Sequence, residues 1–566
     1  MNKKAFNIVI SLIILIPVVV FFTAWNYYAI NIPKWDDHAL KTFIVEYSQA
    51  TTWQEKFASV FKQHNEHRIA LTRAITWLDF RLFGSLNYRH LMLAGNFLLL
   101  ALIPLWFLLL KNNKKPYFAL LPIPFIWLTL AFWENMYWGM SAIQNFGVVT
   151  LAVWTLYLCV NPKPWPFTLS LLLALITVAT SGNGLLILPI GGVLLFLSQN
   201  RKRFALWILM SAGAVFSYFY WYSKNVSNPV SRASVFQLAK GYMAFLGSFA
   251  ESFPVLDNFK VCVFSGIFLF LVAVSIGSTT LFRIIRNKYS AKSEKATDLF
   301  CLGTILFILG TALIVVYSRA GFGLETLITS RYKIYSVLLL ITGYLYVVIP
   351  IRGSFLSPYI SAIILLGVVF NIFSYHYHLV DASSLRKMLT MSQFNWTYTN
   401  KSLEVRPDTS FAANIVAKTP VFYSTWPAPI KLADKQGYAG TTNGLPELYA
   451  QTQFDISKTG ISVKNNKFSS QRLQDSGIYI LLSSDKRFYV FPAYRTRNRN
   501  RKQLFIKQYY FAPGFHSDIF FAENQIEKGD YKIGLIRQQG DDTSILFKDK
   551  TVHIPETISE KIKVNW

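Results

Sequence analysis

The sequence predicts an all-α polytopic membrane domain followed by a mostly β soluble domain. Hydrophobic residues make up 53% of the 566 residues and charged residues only 15%, and long apolar runs recur from the N-terminus to about Tyr375. A helix needs about 20 apolar residues to cross the hydrocarbon core, and these runs are continuous rather than alternating. We therefore expect about eleven transmembrane helices in residues 1–375 and a soluble domain in residues 376–566.

The positions of the basic clusters predict the orientation. The first apolar run, about residues 8–30, is longer than the apolar core of a signal peptide, so we expect an uncleaved first span. We assume that successive spans cross in alternate directions, and that the two short segments around Gly182 either both cross or form a re-entrant pair. Every strong basic cluster between spans then falls on one side of the membrane, as the positive-inside rule requires. The clusters are Lys111–Lys115, Arg201–Arg203 and Arg283–Lys288. This predicts a multi-pass protein of a bacterial inner membrane, with a cytoplasmic N-terminus and an extracytoplasmic C-terminal domain.

The overall charge does not indicate nucleic-acid binding. The formal net charge is +27, but much of it comes from the basic ends of the predicted spans, and we expect no nucleic-acid partner. The three cysteines, Cys159, Cys262 and Cys301, lie in or beside apolar runs. We therefore expect neither a disulfide framework nor a cysteine-based metal site.

The C-terminal region reads as a mostly β, sandwich-like domain with some helix before it. Short runs rich in β-branched and aromatic residues are separated by turn signals, the pattern of strands joined by tight turns. The predicted strands are Gly477–Leu482, Arg487–Phe491, Leu504–Lys507 and Tyr531–Ile536, and the predicted turns are Glu527–Asp530 and Gln539–Asp542. The strongly basic run Tyr494–Lys502 fits either a solvated loop or a surface for anionic lipid or glycan.

The polar stretch 31–89, predicted to be the first outer loop, carries an acidic pair, Asp36 and Asp37, close to the membrane. One carboxylate of such a pair can accept a proton from an attacking hydroxyl while the second orients the acceptor or sets the protonation state of the first. The alternative is structural, because Asp is a favoured helix cap.

A second cluster in this loop combines His64, Glu66, His67, Arg68 and Arg73. The apolar spacing that follows predicts an amphipathic helix lying on the membrane, which would place His64 and Arg68 on one face. Such a group suits a phosphate or a sugar, whereas the alternative is a solvated helix face. His64, Glu66 and His67 also suit divalent ions, but their spacing matches no metal-site signature, and we expect no metal cofactor.

Two later outer loops add candidate binding residues. Arg319, Arg331 and Tyr332 break the positive-inside trend, and the planar fork of arginine suits a lipid phosphate; the alternative is interfacial anchoring. Glu134 and Gln144 lie near several Trp and Tyr residues, which can stack on a sugar or form an ordinary aromatic belt.

An acidic pair directly after the first span, many helices and an extracytoplasmic C-terminal domain together resemble the C-type (GT-C) glycosyltransferases. The resemblance covers residues 1–375 and not the β-rich tail. It implies a GT-C-like membrane domain, membrane-parallel helices in the loop 31–89, a polyprenyl-phosphate-linked sugar donor and Asp36 or Asp37 as the catalytic base.

We therefore expect an inverting glycosyltransferase that moves a sugar from a polyprenyl-phosphate carrier to a glycan or lipid acceptor of the cell envelope, on the outer face of the membrane. Other membrane functions fit parts of the sequence. They are a lipid-linked glycan ligase or polymerase, a transporter or flippase, and a non-catalytic envelope-assembly protein.

Overall fold

A computed structural model shows a chain that divides into two compact units, residues Met1–Ala29 with Thr42–Leu379 and residues Ile30–Lys41 with Val380–Asn565. The structure describes residues 2–223, 229, 231–253, 257–289, 291–399, 426–436, 438–439, 445–473, 477–539 and 542–556.

The first unit is helical. Apart from one short β-hairpin, its described residues form helices joined by short turns, some of them 3-10 helices. Its α-helices, with those that continue into the other unit, are Lys3–Tyr28, His38–Gln49, Trp53–Phe61, Ala70–Phe83, Tyr88–Leu100, Leu102–Asn112, Pro122–Trp127, Trp133–Met136, Gly139–Ser141, Gly147–Cys159, Pro164–Val178, Ile187–Leu197, Arg201–Phe219, Val235–Leu246, Asn258–Ile285, Lys292–Arg319, Lys333–Val348 and Leu356–Thr399.

Among the described residues, six helical segments are long and apolar enough to cross a membrane. They are Lys4–Tyr28, Tyr88–Asn112, Gly139–Cys159, Asn258–Ile285, Lys292–Phe322 and Gly353–Asn395. Three shorter apolar segments are Tyr117–Trp127, Pro164–Val178 and Gly182–Leu197. Helices occur at all the predicted spans, which supports a membrane protein, whereas the number of crossings and their orientation remain predictions.

Two short apolar helices, Pro164–Val178 and Ile187–Leu197, are separated by a 3-10 helix, Gly182–Leu186. A Cβ atom at Gly184 would lie 2.2 Å from the carbonyl oxygen of Thr177, so only glycine allows the chain to fold back so tightly. The break predicted around Gly182 is therefore a built feature of the backbone.

The loop 31–89 contains the three helices His38–Gln49, Trp53–Phe61 and Ala70–Phe83. The prediction of a helix that includes His64 and Arg68 is wrong. These residues lie in a two-stranded antiparallel hairpin, β1 (Gln63–His64) and β2 (His67–Arg68), in which His64 pairs with His67. Asn65 takes a positive φ of 49° at the turn, a conformation that Asn tolerates better than most residues.

The second unit contains two antiparallel sheets. The five-stranded sheet has the order β3-β10-β9-β6-β7, and the three-stranded sheet has the order β4-β5-β8. The strands are β3 (Tyr438–Ala439), β4 (Gln453–Ile456), β5 (Gly460–Asn465), β6 (Ile478–Ser483), β7 (Phe488–Pro492), β8 (Phe515–Phe520), β9 (Gly529–Gln539) and β10 (Asp542–Ile554).

Alternation along β6 explains how these sheets pack. Ile480 and Leu482 belong to a core that also contains residues of β5 and β8, whereas Tyr479 and Leu481 pack with Ile430 of the helix Pro427–Gln436. Successive side chains of a strand point to opposite faces, so β6 is buried on both sides. The mostly β, sandwich-like interpretation is accordingly right for one face, and a helix covers the other.

Two details of the C-terminal prediction change. The segment Leu504–Lys507 is not a strand, because it lies in the helix Arg501–Lys507, whose N-terminus is capped by the side chain of Asn500. The last apolar helix does not end near residue 375 but continues to Thr399. Of the predicted turn 539–542, residues 540–541 lie outside the described residues.

Candidate functional site

In the first unit, the turn of the β1–β2 hairpin meets the break between the two short apolar helices. The backbone N–H of Gly182 donates to Nδ1 of His67 at 3.1 Å, and a Cβ atom at Gly182 would lie only 2.8 Å from the same nitrogen. Because Nδ1 accepts this hydrogen bond, a neutral His67 carries its proton on Nε2. His67 is thus held as a hydrogen-bond donor.

Glu66, which lies in the turn of the hairpin, pairs with Arg319. Its carboxylate lies 3.4 Å from the Arg319 guanidinium, and its main-chain carbonyl accepts a hydrogen bond from the Tyr218 hydroxyl at 3.2 Å. Arg319 is the last residue of the long helix Lys292–Arg319. The fold therefore brings together two candidates that are 253 residues apart in sequence.

A second carboxylate–arginine pair joins Glu134 and Arg331, whose charged atoms are 3.4 Å apart. The Arg331 guanidinium also lies over the ring of Trp138, 5.5 Å from its centroid, and its main-chain carbonyl accepts a hydrogen bond from Asn135. The neighbouring Tyr332 packs on Phe245, with ring centroids 5.8 Å apart, and its own ring centroid is 5.9 Å from the Arg331 guanidinium. Arg331 therefore faces a carboxylate and two aromatic rings.

Further polar contacts lie at the break around Gly182. Gln144 donates to the Ser181 hydroxyl at 3.3 Å, next to Gly182, and Asn183 donates to the Tyr335 hydroxyl at 2.7 Å. The sequence identified Gln144 and the break around Gly182, but it predicted no binding role for Ser181, Asn183 or Tyr335. The polar break in an otherwise apolar segment was the available signal for Ser181 and Asn183, whereas nothing in the sequence marks Tyr335. We call the residues of these contacts together the polar cluster, defined by Glu66, His67, Glu134, Gln144, Ser181, Gly182, Asn183, Arg319, Arg331 and Tyr335.

Arg68 and Arg73, also predicted to bind phosphate, hold the main chain instead. Arg68 donates to the carbonyl oxygens of Phe61, Tyr218 and Tyr220, so each of its guanidinium nitrogens is used. Arg73 donates to the carbonyls of Val60 and Lys62. Burial lowers the pKa of Arg73 to about 10, which leaves it protonated at neutral pH. These two arginines are structural, and the buried His64 lies beside them, 3.4 Å from the amide of Asn65.

An apolar cavity of about 1760 Å³ adjoins the hairpin. Small-molecule sites are usually roughly 300–1,000 Å³, so this cavity has room for a large apolar ligand. Its walls come from the helices Trp53–Phe61, Pro164–Val178 and Arg201–Phe219, and Arg68 and Tyr218 lie at the hairpin end. Tyr218 lines this cavity and also donates to the main-chain carbonyl of Glu66, so the cavity reaches the turn of the hairpin.

No protein-family model, curated protein or solved structure matches this chain.

The predicted acidic pair lies in the second unit, in a 3-10 helix Trp35–Asp37. The buried carboxylate of Asp37 accepts a hydrogen bond from the backbone N–H of Lys34 at 3.0 Å, which is the capping role considered for the pair. Asp36 is half-buried. Between Lys34 and Asp36, Trp35 holds a positive φ of 44°, a conformation that costs about 1–3 kcal/mol for a bulky residue and is typical of functional sites.

The charge of Asp37 also acts on Lys41, which is buried in the same unit. Burial lowers the pKa of Lys41 to about 8, and the negative charge of Asp37 opposes part of that shift. Asp37 thus serves the local structure, through a backbone cap and a buried cation. Asp36 remains the better candidate for chemistry.

The last feature considered is the grouping of side chains that could bind a metal ion. Within the described part of the chain, no three His, Cys, Asp or Glu side chains are grouped closely enough to hold an ion. The carboxylates of Glu66 and Glu134 are each directed at an arginine instead.

Proposed function

We propose that the protein is a membrane glycosyltransferase that takes a sugar from a polyprenyl-phosphate carrier and transfers it to a hydroxyl group of a cell-envelope glycan or lipid. One observation carries the proposal: the apolar cavity ends at the hairpin whose turn residue Glu66 pairs with Arg319. A polyprenyl phosphate has the same two parts, a long apolar chain and a charged head.

The arginines supply the electrostatics of the proposed reaction. Each guanidinium is 3.4 Å from its carboxylate partner, which is longer than the 2.7–2.9 Å of a strong charge-assisted hydrogen bond. A phosphate oxygen would exchange with the carboxylate partner of Arg319 or Arg331, and a guanidinium placed against the departing phosphate stabilises the charge that develops there.

The proposed step is a single displacement. The acceptor hydroxyl gives its proton to a carboxylate and attacks the anomeric carbon, the bond from that carbon to the phosphate oxygen breaks, and polyprenyl phosphate leaves with the electron pair. The resemblance to the GT-C enzymes implies Asp36 or Asp37 as the general base, and our proposal uses Asp36. Attack opposite the leaving group inverts the anomeric centre.

The test is a transfer assay on the full-length protein in nanodiscs, with a panel of polyprenyl-phosphate sugars and release of polyprenyl phosphate as the readout. We expect release by the wild type, and loss of at least about 100-fold on Arg319→Gln. The double variant Asp36→Asn/Asp37→Asn should also be inactive while remaining folded. Full activity in the double variant would remove the proposed base.

A lipid-linked sugar flippase is a second candidate, favoured by the interrupted helices Pro164–Val178 and Ile187–Leu197. Transporters commonly build substrate sites at such interruptions, and the polar cluster here includes Gly182 and Asn183. A fluorescent polyprenyl-phosphate sugar in proteoliposomes separates the two functions. Movement between leaflets without release of polyprenyl phosphate would favour the flippase.

A further inference from the structure

The helix Arg501–Lys507 carries an exposed face that combines aromatic, aliphatic and cationic side chains. Phe505 is 79% exposed and Ile506 is 70% exposed. Arg501 and Lys502, four residues earlier, are also exposed, and residues four apart lie on the same side of a helix. The outward face therefore pairs Arg501 with Phe505 and Lys502 with Ile506.

The face is held in place by the loop that precedes it. The side-chain amide of Asn498 donates to Gln503 at 2.9 Å, and Gln503 donates through its backbone to the Asn500 side chain. Arg495 is buried beneath this loop and donates to the carbonyls of Ser469 and Ala512. These bonds fix the helix so that its apolar residues point away from the core.

The charge around the face has one sign. Arg499 and Lys507 flank the helix and are exposed, and the sequence contains no Asp or Glu between Lys486 and Ser517. Four exposed cations surrounding Phe505 and Ile506 complement a surface that is negatively charged on the outside and apolar beneath.

We propose that this face, defined by Arg499, Arg501, Lys502, Phe505, Ile506 and Lys507, docks on an anionic lipid bilayer. The cations bind lipid phosphate groups, and Phe505 and Ile506 insert at the boundary between headgroups and acyl chains. An anionic glycan would explain the cations but not the exposed aliphatic side chain of Ile506. The proposal does not depend on the transferase activity.

Hydrogen exchange on the full-length protein tests this docking. The protein is placed in nanodiscs of phosphatidylcholine alone, or in nanodiscs of phosphatidylcholine with about 30% of the anionic lipid phosphatidylglycerol. The rates of amide exchange of residues 501–507 in the two samples are then compared. We expect exchange at least about fivefold slower with phosphatidylglycerol, since each cation near an anionic surface contributes about this factor. Raising the salt concentration should reverse the difference.

Variants assign the effect to the face. Phe505→Ser/Ile506→Ser and Arg501→Gln/Lys502→Gln should each abolish the lipid-dependent protection, while protection of β6 reports that the unit is still folded. The matched control is Lys431→Gln/Leu432→Ser, an exposed Lys–Leu pair on another helix of the same unit, and it should leave the protection unchanged.

Two outcomes would overturn the proposal. Equal exchange of residues 501–507 in the two kinds of nanodisc would exclude docking on anionic lipid. Protection that appears in phosphatidylcholine nanodiscs only on addition of polygalacturonate would assign the face to an anionic glycan instead.

Discussion

Two regions of the first unit use arginine in different ways. At the hairpin and the helix after it, Arg68 and Arg73 donate to main-chain carbonyls. At the ends of the helices Lys292–Arg319 and Lys333–Val348, Arg319 and Arg331 instead face glutamate side chains at 3.4 Å. From sequence alone, all four were candidates for binding a phosphate group.

The difference follows from what each arginine satisfies. The carbonyls that Arg68 binds lie at the ends of the helices Trp53–Phe61 and Arg201–Phe219, where the last carbonyls have no partner within their own helix. Arg68 supplies those partners, and removing it leaves carbonyls unsatisfied. Arg319 and Arg331 satisfy side chains that can exchange partners, so a ligand can enter their coordination. Substitutions should therefore affect stability in the first region and transfer in the second.

The largest effect is expected at the second region. Arg319→Gln and Arg331→Gln should each reduce transfer by about 100- to 1,000-fold, because each removes a charge that stabilises the leaving phosphate. The midpoint of thermal unfolding should change little. Initial rates in nanodiscs measure the effect, and Arg352→Gln, an exposed arginine paired with Glu294 at 3.7 Å, is the control. An Arg319→Gln variant with a lower midpoint of thermal unfolding but an unchanged rate of transfer would contradict the distinction between structural and substrate-binding arginines.

Arg68→Gln should act on stability. The change leaves three main-chain carbonyls without their shared donor, and we expect the free energy of unfolding to fall by about 2 kcal/mol. Arg68→Lys should not restore it, because an ammonium group cannot reproduce the planar fork. Thermal unfolding in detergent measures the change, with the exposed Arg81→Gln as control. Transfer lost without any loss of stability would place Arg68 in the substrate site after all.

Gly182→Ala tests the contact between the hairpin and the helix break. The added Cβ atom would lie 2.8 Å from Nδ1 of His67, so the imidazole must move. We expect transfer to fall about tenfold, about 1.4 kcal/mol. The control is Gly277→Ala in the helix Asn258–Ile285, where an added Cβ atom meets only a side-chain carbon of Leu302, at 3.9 Å. Equal rates in the two variants would show that the position of His67 does not matter.

The last prediction concerns Lys41, a buried cation of the second unit. Its pKa is lowered to about 8 in the folded protein from about 10.5 when unfolded, so between these values the unfolded chain binds more protons. Stability should therefore rise from pH 8 to about pH 10.5, by at most about 1.4 kcal/mol per pH unit. Lys41→Met should flatten this rise in chemical unfolding monitored across that range. An unchanged slope in the variant would assign the pH dependence to another group.

The sequence predicted the features that depend on local pattern. Long apolar runs gave the positions of the helices because their length and composition suffice, and alternation gave β6, β7 and β9. It did not predict the hairpin at His64. The expected helix is interrupted there because Asn65 takes a positive φ and forms a turn. Leu504 was assigned to a strand because four residues cannot distinguish a short helix from a short strand.

The roles of the arginines could not be read from the sequence. Arg68 meets carbonyls about 150 residues away and Arg319 meets a carboxylate 253 residues away, so their partners exist only in the folded chain. The acidic pair could be predicted in part. The capping of Lys34 by Asp37 is a local interaction and was considered from the sequence, whereas the burial of Asp37 was not evident.

The most direct test of the central distinction is binding of polyprenyl phosphate compared with polyprenol, measured by native mass spectrometry on the full-length protein released from nanodiscs. The wild type should bind the phosphate at least about tenfold more tightly. Arg319→Gln should remove that preference, and folded Arg68→Gln protein should keep it. Equal binding of the two lipids by the wild type, or a preference that survives Arg319→Gln, would contradict the assignment of Arg319 to a lipid-phosphate site.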